Sequence, residues 1–279
     1  MKKIVTIIAM TLLCTVALAQ KESIEKRNIK VGPFSGVEIS GVVKVTVEKS
    51  PSHSLSVETY NEVFEYLDIE VRNGVLCIGI VNGGIPKSVQ RKYKDMEIVC
   101  RLTMPELKSI GMSGVTKLFV RDPFVTGSMN IELSGVTYAE IKQIECDDLQ
   151  VEISGVSDIQ MYGLTEQLNL EISGASKGFF GLDGKTITFA DIEISGSGSA
   201  LIQGKAIRSS IDISGTAAFE GQEFEVEVMK AVVSGVAKAQ VKVLGSLEPE
   251  VSGAAKLRYN KNVTLRNVNT SGAAQMAPY

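Results

Sequence analysis

The chain has 279 residues, a formal net charge of −3 and 44% hydrophobic residues, yet only 6% aromatics and no Trp. That apolar content excludes a disordered chain, and a weakly acidic protein without an extended basic cluster lacks the electrostatic footprint of a nucleic-acid binder. A core poor in bulky rings has to be assembled mainly from Val, Ile, Leu and Ala, which suits thin, regular layers.

Lys2 and Lys3 precede an apolar run, Ile4 to Leu18, closed by the small-residue site Ala17-Leu18-Ala19. This predicts a secretory signal peptide over residues 1–19, too short for a membrane span, and hence a periplasmic, extracellular or cell-surface destination. Cys14 follows Leu13, where a lipidated Cys would follow a small residue, so no lipid anchor is expected. Residues 20–31 are polar and expected to form an exposed leader. The remaining cysteines, Cys77, Cys100 and Cys146, are odd in number and too far apart for a zinc site. They read as buried thiols, with one disulfide and one free thiol as the alternative, and neither a metal nor a cofactor is expected.

Residues 32–110 read as an N-terminal β region. Val37-Glu38-Ile39-Ser40-Gly41-Val42 opens it with strand alternation around a Ser-Gly. Ser54 to Thr59 is a predicted strand. Leu67 to Val71 and Val75 to Val81 flank Asn73-Gly74, the strongest short hairpin signal. Asn82 to Asp95 reads as a polar loop, and Met96 to Met104 as a strand ended by Pro105.

Residues 111–279 repeat one phrase, clearest in Val151-Glu152-Ile153-Ser154-Gly155-Val156. Ser-Gly recurs at Ser113, Ser134, Ser154, Ser173, Ser195, Ser214, Ser234, Ser252 and Ser271, at intervals of 18 to 22 residues. Counting each Ser as zero, positions −3 and −1 are mostly apolar, +1 is Gly and +2 is small or Val. Alternation breaks at Ser-Gly and restarts beyond it: a strand, a tight corner, a second strand. A period of about 20 residues with period-2 alternation predicts an all-β chain, a parallel β-helix whose coils stack about 4.8 Å apart into a rod roughly 40 Å long. Ser40 is a first rung, separated from the others by an all-β insertion.

The serines have no partner for nucleophilic chemistry, since the only histidine, His53, falls in the insertion. They are expected to satisfy backbone groups at the corner. Position −2 holds Glu132, Glu152, Glu171, Glu193 and Asp212 in successive coils. Alternation turns this column to solvent, either as a solubilising stripe or as a surface for a cation or basic partner. Phe119, Tyr138 and Phe179 share an outward face after the corner, where exposed rings stack on sugars or bury against a partner. Repeats this uniform leave no long loops to carry the clustered catalytic groups of a polysaccharide-acting enzyme, and no catalytic residue is assigned.

The ordered series Val37-Glu38-Ile39-Ser40-Gly41, Ile69-Glu70-Val71, Asn73-Gly74-Val75-Leu76, Met104-Pro105-Glu106-Leu107 and the Ser-Gly rungs resembles the GIN head domain of bacterial putative adhesins, common among exported proteins of Bacteroidetes. The resemblance covers roughly residues 32–275. It implies a right-handed parallel β-helix with an antiparallel β insertion near its start, and it carries no catalytic residues. The resulting expectation is an exported, non-enzymatic, adhesin-like module that presents a repetitive face to a glycan or surface protein. The alternatives are a self-associating envelope protein and, third, an enzyme on polysaccharide.

Overall fold

The computed structural model describes residues 23–94 and 96–279; the expected signal peptide lies outside them. Strands wind into a β-solenoid of about eight turns, about 20 residues apart. The Ser-Gly corner makes the winding possible. At Gly155 φ is +74°, and a Cβ would lie 2.5 Å from the carbonyl oxygen of Gly135 in the preceding coil. Glycine alone tolerates both the left-handed backbone and this approach. The Val156 amide donates to that same oxygen at 2.8 Å, so the parallel ladder continues through the bend. The hydroxyls of Ser134, Ser154 and Ser173 donate to the carbonyl oxygens of Met112, Leu133 and Ile153 at 3.1, 3.4 and 3.4 Å, the corner-satisfying role expected of them.

The N-terminal strands are Ile24–Ile29 (β1), Gly36–Ile39 (β2), Val42–Lys49 (β3), Ser54–Tyr60 (β4), Leu67–Arg72 (β5), Val75–Ile80 (β6) and Val99–Met104 (β7). The coils continue with Ser109–Met112 (β8), Val115–Val120 (β9), Phe124–Val125 (β10), Ser128–Leu133 (β11), Val136–Glu145 (β12), Asp148–Ile153 (β13), Asp158–Leu164 (β14) and Gln167–Ile172 (β15). Four long strands follow, Lys177–Ile194 (β16), Ser199–Ile213 (β17), Ala218–Val233 (β18) and Lys238–Val251 (β19). Register shifts inside them, as between Leu182 and Thr186, mark where they bend around a coil without breaking. Lys256–Tyr259 (β20), Thr264–Leu265 (β21) and Asn269–Thr270 (β22) stack on β19, and Gln275–Pro278 (β23) stacks on β20 to end the solenoid.

Despite the insertion, β2 pairs in parallel with β8, and β3 with β9, so the Ser40 rung stacks directly on the Ser113 rung. The insertion is parallel where it joins the solenoid, β6 on β2 and β7 on β3. Outside these it turns antiparallel, with β5 on β6, β4 on β7 and β1 on β4. The β5–β6 hairpin turns through Asn73 and Gly74, both at positive φ. This layer closes the solenoid's first end, and its outermost strand carries Glu25, Lys26 and Arg27, charges that discourage edge pairing. Two expectations need correction here. The leader contains β1, whose six backbone partners in β4 hold it in place although most of its side chains stay exposed. The polar loop after residue 82 contains a short helix, Lys87–Lys92 (α1), anchored by buried Val89. At the other end no such layer is present among the described residues, and Val268, at a position that is interior in earlier coils, is 51% exposed.

The core is a set of stacked columns. Ile131, Val151, Leu170, Ile192, Ile211 and Ala231 succeed one another in register, all buried. Burying one such branched side chain contributes about 1.5–3 kcal/mol. Cys77, Cys100 and Cys146 are all free thiols. Burial pushes the Cys100 thiol from 9.0 up to about 12. The fold therefore holds it neutral, which adds stability that is fully present below pH 9 and lost as pH rises from 9 to about 12. In native protein treated with iodoacetamide at mildly alkaline pH, half-buried Cys77 should be labelled well before Cys100. Peptide mass spectrometry reads the order, and equal rates would contradict this picture of the core.

Candidate functional site

On the sheet before the corner, β11, β13, β15, the second half of β16 and that of β17 lie side by side. Glu132 is paired with Glu152, Glu152 with Glu171, Glu171 with Glu193 and Glu193 with Asp212. All five side chains are exposed, because their neighbours at −3 and −1 fill the interior. At strand spacing, adjacent carboxylates repel by about 0.9 kcal/mol in water, a cost the fold tolerates in every one of these coils. A groove of about 730 Å³ follows the ladder, with Ser134, Ser154, Ser173 and Ser195 along one side.

The ladder has definite ends. Gly111 stands between Glu132 and Glu38, and Cys77 lies beyond Glu38 in the same row, its thiol donating to the Glu38 carboxylate at 3.6 Å. Past Asp212 the row continues with Val232.

A second column runs beside the acids and went unnoticed in the sequence. Two residues earlier in each strand stand Asn130, Gln150, Asn169 and Asp191, again in register. The Asn130 side-chain amide donates to Glu132 Oε1 at 2.7 Å, and that of Gln150 to Glu152 Oε1 at 3.1 Å. These bonds spread part of the ladder's negative charge. The same numbering from the corner that revealed position −2 would have revealed the amides at −4.

Phe119, Tyr138 and Phe179 lie on a different sheet, after the corner, on β9, β12 and β16. Phe119 and Tyr138 meet, with ring centroids 5.9 Å apart. Phe179 sits two coils further on and contacts Tyr162 instead, at 5.4 Å. The Arg121 guanidinium covers Phe119, 4.6 Å from its centroid, and bonds Glu140 at 2.7 Å. Burial first, then the neighbouring Glu140 and Asp158 carboxylates, push the Tyr138 phenol above its ordinary range. The three rings are thus split into two pairs, one of them already spent on a cation.

His53 Nε2 lies 2.8 Å from the Phe34 carbonyl oxygen, in the N-terminal region and in ring contact with Phe34. It is not in a position to serve the serine column. Among the described residues no three His, Cys, Asp or Glu side chains converge to hold a metal ion. What the site can do chemically is present fixed carboxylates, amides and hydroxyls along one line. No described helix is long and apolar enough to cross a membrane.

A family model described as putative auto-transporter adhesin, head GIN domain, matches residues 33–179 and 175–262. No curated protein sequence matches significantly. The chain is similar to the crystal structure of a putative adhesin from Parabacteroides merdae, at 15% identity and TM-score 0.65, over 93% of this chain and 97% of that one. It is also similar to a putative adhesin from Parabacteroides distasonis, at 16% identity and TM-score 0.65, over 93% and 98%. A putative lipid binding protein from Parabacteroides distasonis matches at 15% identity and TM-score 0.59, over 93% and 98%. At such identities these likenesses speak for the fold.

Proposed function

Because the chain belongs to the family of putative auto-transporter adhesins with the GIN head domain, we propose that it is an exported, non-enzymatic binding module that engages its partner through the acid ladder. The partner is a glycan or a protein of the cell surface. One observation carries this reading: five acids in unbroken register along a single groove. A ladder of fixed negative charge beside amides offers hydrogen-bond acceptors to hydroxyl groups and charge complementarity to basic side chains. It repels phosphate, sulfate and nucleic acid.

The test compares two variants on arrays of immobilised glycans and surface proteins. Glu152→Gln/Glu171→Gln/Glu193→Gln keeps side-chain size and removes three charges; it should weaken binding by about tenfold or more. Replacing Phe119, Tyr138 and Phe179 together by Ala should leave binding largely intact. The reading fails if the wild-type chain binds nothing on either array, or if the Gln triple binds as the wild type does.

A further inference from the structure

A second groove, of about 330 Å³, lies on the same outward face, further from the corner. It is lined by Asp148, Gln150, Gln167, Asn169, Phe189 and Asp191, floored by the buried Leu149 and Leu168. Their arrangement is a grid set by strand register. Asp148, Gln167 and Phe189 follow one another across β13, β15 and β16, and Gln150, Asn169 and Asp191 form the parallel row two residues on. Neighbours within a row are therefore about 5 Å apart, and the two rows about 7 Å apart.

Phe189 is the unusual member. Five of the nine phenylalanines are buried and three are half-buried, while Phe189 is 42% exposed. No ring or cation contacts it among the described residues, in contrast to Phe119 and Phe179. The side chains of Gln167, Asn169 and Asp191 also make no hydrogen bond or ion pair within the described structure, although each is polar and reaches into the groove. An apolar ring and unspent donors and acceptors thus share one shallow surface.

We propose that this groove is a subsite for one unit of a neutral oligosaccharide, which rests on our reading of this face as the binding face. The apolar face of a pyranose ring stacks on Phe189. Its hydroxyls take their hydrogen bonds from the Gln167 and Asn169 amides and give theirs to Asp191 and Asp148. The chain then extends toward the acid ladder, since Gln150 and Asn169 stand directly between the two grooves. Charge selects among sugars. Asp148, Asp191 and the ladder acids Glu152, Glu171 and Glu193 surround the subsite, so uronate-containing or sulfated chains meet like charge and are rejected.

The chain has no Trp, so Phe189→Trp places a single reporter in the groove while keeping an aromatic platform. Titrated with soluble neutral oligosaccharides of hexose and N-acetylhexosamine, this variant should show a saturable fluorescence change, and oligogalacturonate should produce none. In calorimetry with the same neutral sugars, Phe189→Ala should bind about tenfold or more weakly than wild type, the size of effect expected when a single aromatic anchor is lost. Both substitutions sit at the surface and should leave the circular dichroism spectrum unchanged. The proposal is overturned if no neutral sugar gives a saturable change, if oligogalacturonate binds as tightly, or if Phe189→Ala binds like wild type. In that last case a loss seen only with the Glu-to-Gln triple would leave the acid-ladder reading standing and remove the sugar subsite alone.

Discussion

Gly155→Ala should destabilise the protein by about 2–4 kcal/mol, far more than a methyl group on a surface turn normally costs. Two separate penalties contribute. The backbone at Gly155 sits at φ +74°, which an L-residue adopts at a cost of about 1–2 kcal/mol. The new Cβ would also stand 2.5 Å from the Gly135 carbonyl oxygen and 2.9 Å from the Gly135 amide nitrogen. These are backbone atoms of the next corner, stacked in turn on Gly114, so they cannot swing aside as a side-chain tip would. Moving them stretches the 2.8 Å bond from the Val156 amide to the same oxygen.

Two other glycines separate the terms. Gly74, in the β5–β6 hairpin, has φ +77° but nothing within 4 Å of a Cβ, so Gly74→Ala should show the backbone cost alone. Gly127 has neither constraint, and Gly127→Ala should change stability by about 0.5 kcal/mol or less. Urea denaturation followed by circular dichroism measures all three. The stacked-corner explanation is wrong if Gly155→Ala costs no more than Gly74→Ala. A coil weakened in the middle of a nearest-neighbour stack should also broaden the transition, because the halves on either side lose their coupling.

The corner was the most legible feature of the sequence because it is local. A Ser-Gly repeated at 18 to 22 residues fixes the period and where the chain turns, and strand alternation then says which side chains point out. Glu132 through Asp212 could be placed in one column for that reason, and the register confirms that they are neighbours. Less was legible where position depends on which strands pair. Phe119, Tyr138 and Phe179 share a face in any such reading, but whether rings touch depends on how many coils separate them, and Phe179 found Tyr162 instead. Phe189 was overlooked because the coil that contains it is the longest of the set. Asp183, Gly184 and Lys185 lie where its register slips, between Leu182 and Thr186. Counting back from Ser195 still places Phe189 outward at −6. Its opposition to Gln167, and the groove this makes, come only from the pairing of β15 with β16. The leader's strand was hidden similarly: Ile24–Ile29 is too polar to declare itself, and it is a strand because β4 offers it a free edge.

Phe180→Ala should cost about 3–5 kcal/mol, the range for removing a fully buried ring. Phe180 has no exposed surface and stacks between Met161 and Ile202 of the adjoining coils. It fits because the chain makes room two residues earlier. Gly178 occupies a row held by Ile159 before it and Ala200 after it, and a Cβ on Gly178 would overlap Cε2 of the Phe180 ring. The ring therefore fills space in its own coil that neighbouring coils fill with a side chain from the adjacent interior position. Phe219 and Gly221 repeat the exchange, with a Cβ on Gly221 only 2.5 Å from the Phe219 ring. Such a pair predicts coupling rather than additivity. Gly178→Ala alone overpacks the site and should cost about 1–3 kcal/mol. Phe180→Leu alone leaves a gap. The double variant Gly178→Ala/Phe180→Leu puts the methyl where the ring had been, and should be more stable than the two single costs sum to, by about 1 kcal/mol or more. Additive costs in the urea-denaturation cycle would mean that ring and glycine are not exchanging volume, and that each coil packs without reference to the large-for-small substitution proposed for it.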